Sequence, residues 1–311
     1  MIPWLMSACF YPCIIGPDFW GLVNKHWRMC TAGQLQSPIN VDPSVLLYDP
    51  GLLPLDINKH QVQATLENMG QLPLVTINDS LIEQGNINIS GGPSSPYRYR
   101  LHHVVVHFGL VANNERGSEH TIDRIRFPAE VQLLAYNTDL YANFTEAMSQ
   151  SRGILAVSII VDLGTISNTE LRKLTVASQS ITYKGTKTIL KRFSAYGLLP
   201  QTQDYITYEG SLTFPGCFET VTWLQIWNDL QQTETKQLSP VLMSPNYRPL
   251  KPLNGRLLRT NINIRYKAKS PQSCPSNLYI DMGYKANPRR FSTLSSSVVK
   301  RSLNDNNSEV R

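Results

Sequence analysis

Three histidines crowd one short stretch, Leu101-His102-His103-Val104-Val105-Val106-His107-Phe108. Neutral imidazoles at close spacing are what zinc sites are built from. The apolar, β-branched composition makes the stretch a strand, and alternate side chains of a strand share a face. One face then carries His103, Val105 and His107, and the other His102, Val104, Val106 and Phe108. Positions two apart lie roughly 7 Å apart and can converge on one ion held at about 2 Å. His103 and His107 are four apart, on the order of 13 Å, and would have to point straight at each other. Between them stands Val105, which has no donor atom. Histidines that are hydrogen-bonded or line a cleft are therefore a better reading than a metal site. A second strand candidate, Ala129-Glu130-Val131-Gln132-Leu133-Leu134, puts Glu130, Gln132 and Leu134 on one face. The neutral amide oxygen of Gln132 is a weak zinc ligand beside imidazole or thiolate.

Such strands need a sheet around them. Runs rich in Val, Ile, Leu and Tyr recur at residues 63–69, 74–78, 100–108, 129–137, 154–163, 205–213, 221–227 and 262–267, with Gly, Pro, Asn and Ser between them. Helical signals are short and few; residues 186–193 and 234–243 are the better candidates. The expected class is α+β and sheet-dominated, with one domain over residues 18–268. Its length suffices for a large core, and no internal repeat is visible.

The ends read differently. Residues 269–311 hold seven Lys/Arg against three Asp/Glu, most of the chain's net charge of +6. They read as a basic, largely disordered tail. A solvated end is one reading of that charge; weak attraction to acidic glycans or lipid heads is the other. Residues 1–17 lack a basic n-region and a small-residue cleavage site. They make a poor signal peptide, and the native start is expected to be missing or misassigned. No apolar run is long enough to span a membrane, and nothing resembles a nucleic-acid module. Sequons at Asn78, Asn88, Asn143 and Asn306 are candidate glycosylation sites.

Several segments, in order, resemble α-class carbonic anhydrases. They are Gln36-Ser37-Pro38-Ile39-Asn40, Tyr99-Arg100-Leu101, His107-Phe108-Gly109, Gly117-Ser118-Glu119-His120-Thr121, Tyr208-Glu209-Gly210-Ser211-Leu212-Thr213-Phe214-Pro215 and Asn246-Tyr247-Arg248-Pro249-Leu250-Lys251-Pro252-Leu253-Asn254. The resemblance spans roughly residues 19–266. It implies that family's fold, a large, twisted, mostly antiparallel central sheet with short peripheral helices. It places the three zinc positions at Val105, His107 and Gln132, so one imidazole of three remains. The proton-shuttle position falls at Gln71, whose amide does not titrate near neutral pH. Phe214 is expected to crowd the old substrate mouth. By contrast, the residues that orient the ligands look retained: Glu119, His120, Glu130, Tyr208 and Thr213, with Glu119 accepting the Thr213 hydroxyl. Leu212, Val221 and Trp223 keep an apolar wall.

The resemblance also implies a Cys30–Cys217 disulfide, and with it an oxidising compartment. Cys9, Cys13 and Cys274 remain unassigned. Cys274 is either an intermolecular thiol or a cysteine without a role. Within the family, Phe19-Trp20-Gly21-Leu22-Val23-Asn24, Asn88-Ile89-Ser90-Gly91-Gly92-Pro93 and Thr260-Asn261-Ile262-Asn263 are similar to the secreted, inactive carbonic anhydrase-related proteins of the ten/eleven branch. That similarity implies no bound zinc, no hydratase activity, an extracellular location and a cell-surface partner of the neurexin type. The competing expectation is a zinc-dependent enzyme with residual activity, using His103, His107 and a third group, or an esterase-like side reaction. A polyanion binder acting through the tail is a third.

Overall fold

A computed structural model of the protein describes residues 16–77, 85–109, 116–163, 167–232 and 246–263. The strands are β1 (Asn40–Val41), β2 (Leu47–Tyr48), β3 (Leu55–Ile57), β4 (Val62–Asn68), β5 (Pro73–Ile77), β6 (Asn88–Gly91), β7 (Tyr99–Phe108), β8 (Thr121–Ile122), β9 (Ile125–Arg126) and β10 (Ala129–Asn137). They continue with β11 (Ile154–Leu163), β12 (Lys187–Phe193), β13 (Tyr205–Gly210), β14 (Val221–Gln232) and β15 (Arg259–Thr260). Among the described residues there are four short α-helices: α1 (Trp20–Val23), α2 (Met29–Ala32), α3 (Phe144–Ala147) and α4 (Thr169–Ser178). A twelve-stranded sheet dominates, in the order β12-β4-β5-β7-β10-β11-β14-β13-β15-β2, with β3 and β6 branching from β7. Its pairs are mostly antiparallel; β11–β14 and β15–β2 are parallel. The expected class therefore holds.

The sheet has a core on each face. Val104, Val106, Val131, Leu133, Val157 and Ile159 belong to one buried cluster. Val105, Leu134, Ala156, Tyr208, Leu212 and Trp223 belong to the other. Period-two alternation along β7 and β10 thus sends neighbouring residues to opposite cores, and both faces are sealed from water. By cluster, the chain divides into a unit Met1–Asn261 and a unit Ile262–Arg311, the latter described only in its first two residues.

Two expectations need correction. Residues 186–193 are not helical: Lys187–Phe193 is a strand paired antiparallel to β4, with Ile189 opposite Thr65. A run holding the β-branched pair Thr188 and Ile189 and ending in Phe193 suits a sheet edge once a partner strand is present. A helix lies just before it instead, at α4, where the Asn168 side chain accepts from the amides of Glu170 and Leu171 and so caps the first turn. His102 is also displaced from its expected face. Pairing shifts between His103–Leu134 and Leu101–Ala135, which leaves His102 as the extra residue of a bulge. Its ring stacks on Phe144 at 4.9 Å, and His103 meets the same ring at 5.0 Å. The candidate helix 234–243, nearly all of the 262–267 run, and Asn78, Asn306, Cys9, Cys13 and Cys274 lie outside the described residues.

Candidate functional site

β7 and β10 are neighbours, with Val105 opposite Gln132 and His107 opposite Glu130. All three positions assigned to zinc by resemblance are therefore on adjoining strands, within one step of register. All are buried, at 2% exposure for Val105, 3% for His107 and 1% for Gln132.

Their chemistry is not that of a ligand set. His107 gives its Nδ1 proton to the Asn246 carbonyl at 2.8 Å. Its Nε2 has no hydrogen-bond partner among the described residues and stands 3.5 Å from Glu119 Oε2. Val105 offers no donor atom. Gln132 turns Nε2 toward two buried carboxylates, 2.8 Å from Glu119 Oε2 and 2.9 Å from Glu130 Oε1. Carboxylates accept only, so the amide's N–H groups must face them. The side chain at the third position is a proton donor held by two anions, not a lone pair aimed at a cation. These residues do not fit zinc. Among the described residues, no three His, Cys, Asp or Glu side chains gather to hold a metal ion. His103 does not join His107: its Nδ1 is 3.3 Å from Thr76 Oγ1, and its ring packs on His102.

Around this point runs a closed polar network. Glu130 accepts from the His120 amide at 2.8 Å, from His120 Nδ1 at 2.8 Å and from Ser158 Oγ at 2.8 Å. His120 Nε2 lies 2.7 Å from the Tyr208 hydroxyl oxygen. Ser37 Oγ completes the line, 2.9 Å from the Tyr208 oxygen. Gly210 permits that approach, since a Cβ there would collide with Ser37 Oγ. Burial pushes the Tyr208 hydroxyl far up, so it stays protonated. Glu119 accepts the Arg248 amide at 3.0 Å besides Gln132. The expected Thr213 hydroxyl is not among its donors; the Gln132 amide occupies the oxygen facing the site. Leu212, Phe214, Val221 and Trp223 are buried together and close the site with apolar surface. Gln71 lies half-buried in the turn between β4 and β5.

Burial would raise the Glu130 pKa, but the charge and hydrogen bonds of His120 outweigh it and hold Glu130 down at about 2. A carboxyl whose folded pKa is depressed contributes stability above its unfolded value of 4.5, and loses it as pH falls toward 2. Glu130→Gln is expected to flatten the fall of Tm over that window, read by circular dichroism melts. A slope identical to the parent's would remove Glu130 from the acid response.

One role escaped the sequence reading. The Arg248 side chain is fully buried, and its guanidinium donates to the carbonyls of Ser37 and Cys30 and to Gln36 Oε1, at 2.7, 3.2 and 2.9 Å. Burial draws its pKa down to about 10, so it is still charged at neutral pH. The Gln36–Asn40 and Asn246–Asn254 motifs thus meet at one buried cation. The only available signal was that two polar motifs of distant sequence position are dense in hydrogen-bonding residues.

Cys30 and Cys217 are joined, with Cα atoms 5.0 Å apart and a sequence separation of 187. Closing so long a loop restricts the unfolded chain, worth about 2–5 kcal/mol. Cys30→Ala with Cys217→Ala is expected to lose that much in urea unfolding, and an unchanged midpoint would contradict it. Asn88 and Asn143 are exposed; Asn143 caps α3 through Oδ1, 2.9 Å from the Glu146 amide.

A mixed, sheet-dominated fold with a buried carboxylate, histidine and tyrosine network on adjoining central strands defines a carbonic anhydrase architecture. Residues 15–262 match the family model of eukaryotic-type carbonic anhydrases, and the chain belongs to that family. It is 61% identical over 304 residues to carbonic anhydrase-like protein 2 of Caenorhabditis elegans, covering 93% of this chain and 90% of that one. It is 38% identical to carbonic anhydrase-like protein 1 of the same animal, covering 79% and 87%. The protein is thus carbonic anhydrase-related.

Proposed function

We propose that this chain is a catalytically inactive member of its family, acting outside the cell as a ligand for a surface protein. The observation that carries the reading is the Gln132 amide, whose nitrogen lies 2.8 and 2.9 Å from two buried carboxylates. Hydration chemistry needs an ion that brings the pKa of bound water from near 16 to about 7. With one imidazole, a valine and an amide donor in place of three ligands, there is nothing to generate that hydroxide. Gln71 further supplies no titrating relay. The disulfide supports passage through an oxidising compartment, and Asn88 and Asn143 stand ready for glycans. No helix among the described residues is long and apolar enough to cross a membrane.

The partner follows by resemblance to the secreted, inactive branch, which points to a neurexin-type ectodomain. The test is binding of the tagged full chain to cells displaying a neurexin ectodomain, beside mock cells, with and without reductant. Saturable binding above mock supports the partner; equal signals on both remove it. Loss of binding under reductant assigns a role to a disulfide.

A further inference from the structure

β12 ends the twelve-stranded sheet and pairs only with β4 among the described residues. α4 packs against β12 and β4, and between α4 and β12 runs a groove of about 410 Å³. Leu190 and Phe193, both buried, line it together with Val176 and Ile189, each 56% exposed. Two large apolar side chains left half in water across an apolar floor make a seat for one bulky apolar group.

The surroundings are strongly cationic. From residue 171 to residue 203 there are six Lys/Arg and no Asp or Glu. Lys173 is matched by Glu170 at 2.6 Å and Lys187 by Glu67 at 3.0 Å. Arg172 and Lys191, which line the groove, have no carboxylate partner among the described residues. Free edges accept an added strand, with main-chain bonds giving affinity and alternate side chains giving selectivity. Here charge decides the occupant. Lysines on an edge repel a second copy of the same edge. The chain's own residues 269–311, with seven Lys/Arg and three Asp/Glu, are repelled too. A sulfated polysaccharide would meet the cations but leave the apolar floor without a partner.

We infer that the groove between α4 and β12 docks an extended acidic segment of a partner protein. The segment adds as a strand along β12 and seats an apolar side chain between Val176 and Ile189, with carboxylates on Arg172 and Lys191. The inference rests on the reading of the chain as a binding protein, and it names the surface.

The test uses the full chain and a fluorescein-labelled peptide alternating Glu with Val and Phe, followed by fluorescence polarisation. A peptide with Lys for every Glu and a heparin octasaccharide run beside it. The acidic peptide is expected to bind saturably, more weakly at high salt. Arg172→Glu with Lys191→Glu should weaken it at least tenfold, as should Val176→Asp, whereas Lys25→Glu on a remote exposed site should not. Amide exchange along β12 should slow on binding. All these side chains are exposed, and circular dichroism checks that the variants fold. No saturable binding, equal binding of the Lys peptide, indifference to the groove variants, or unchanged exchange in β12 would each overturn the inference. Groove-dependent binding of heparin alone would assign the surface to polysaccharide. Zinc content and neurexin-cell binding of the same preparation report on the proposed function separately, so failure of one is not mistaken for failure of the other.

Discussion

Val105→His together with Gln132→His is expected to create a zinc site of high affinity out of one imidazole, one valine and one amide. Cross-strand pairing places the two positions opposite each other, with His107 two residues along the same strand from Val105. Three imidazoles then stand on one face within reach of a single ion, and Glu130 is placed to take the spare N–H of the ring at position 132. Structural zinc sites of four ligands bind with about 10–16 kcal/mol, so two added ligands at about 3 kcal/mol each correspond to roughly 10⁴-fold in affinity. Competition against a chelator of known affinity measures this directly. Each single replacement should gain far less than the pair, because zinc needs all three corners. No gain in the double variant, with the fold intact, would mean that the strand register or the orientation of these faces differs from that described.

Gln132→Leu carries the second large effect. The volume is nearly conserved, so little cavity is created. What is removed is the pair of N–H donors lying between Glu119 and Glu130, both fully buried. Hydrogen bonds to charged groups are worth about 1.5–3 kcal/mol each, and an orphaned buried charge adds its desolvation cost, so a loss of about 3–5 kcal/mol is expected. Urea unfolding at neutral pH reads it. Because a carboxyl deprived of its donors shifts toward the protonated form, the loss should shrink as pH is lowered. A change below about 1 kcal/mol would show that the amide is incidental to the network, since surface substitutions alone stay near half that size.

How much of this was legible in the residues depended on the kind of interaction. Runs rich in Val, Ile and Leu located β7, β10 and β11 almost to the residue, because a strand buried on both faces must fill both cores. The register that brings Val105, His107 and Gln132 together was legible only through family resemblance, since pairing partners leave no local mark. Residues 186–193 read as helix because Lys, Leu and Arg tolerate one; their edge position beside β4 decided otherwise. The cap at Asn168 was a usable sign of α4 that strand-seeking overlooked. The bulge at His102 carries no signal of its own in the local sequence. At the site, the residue types told that Gln132 is a poor ligand. They did not tell that its amide lies within hydrogen-bonding distance of two carboxylates, nor that Glu119 would then lack Thr213 as a donor. Such bonds depend on side chains from four separate strands and loops meeting at one point.

All of this turns on whether a single imidazole, hemmed in by a valine and an amide that offers protons, can retain a metal ion. Elemental analysis of the untreated full-length protein, paired with a carbon dioxide hydration assay with and without a sulfonamide, answers it most directly. The account predicts far less than one zinc per chain and no sulfonamide-sensitive turnover. Close to one zinc per chain, with hydration that a sulfonamide abolishes, would contradict it.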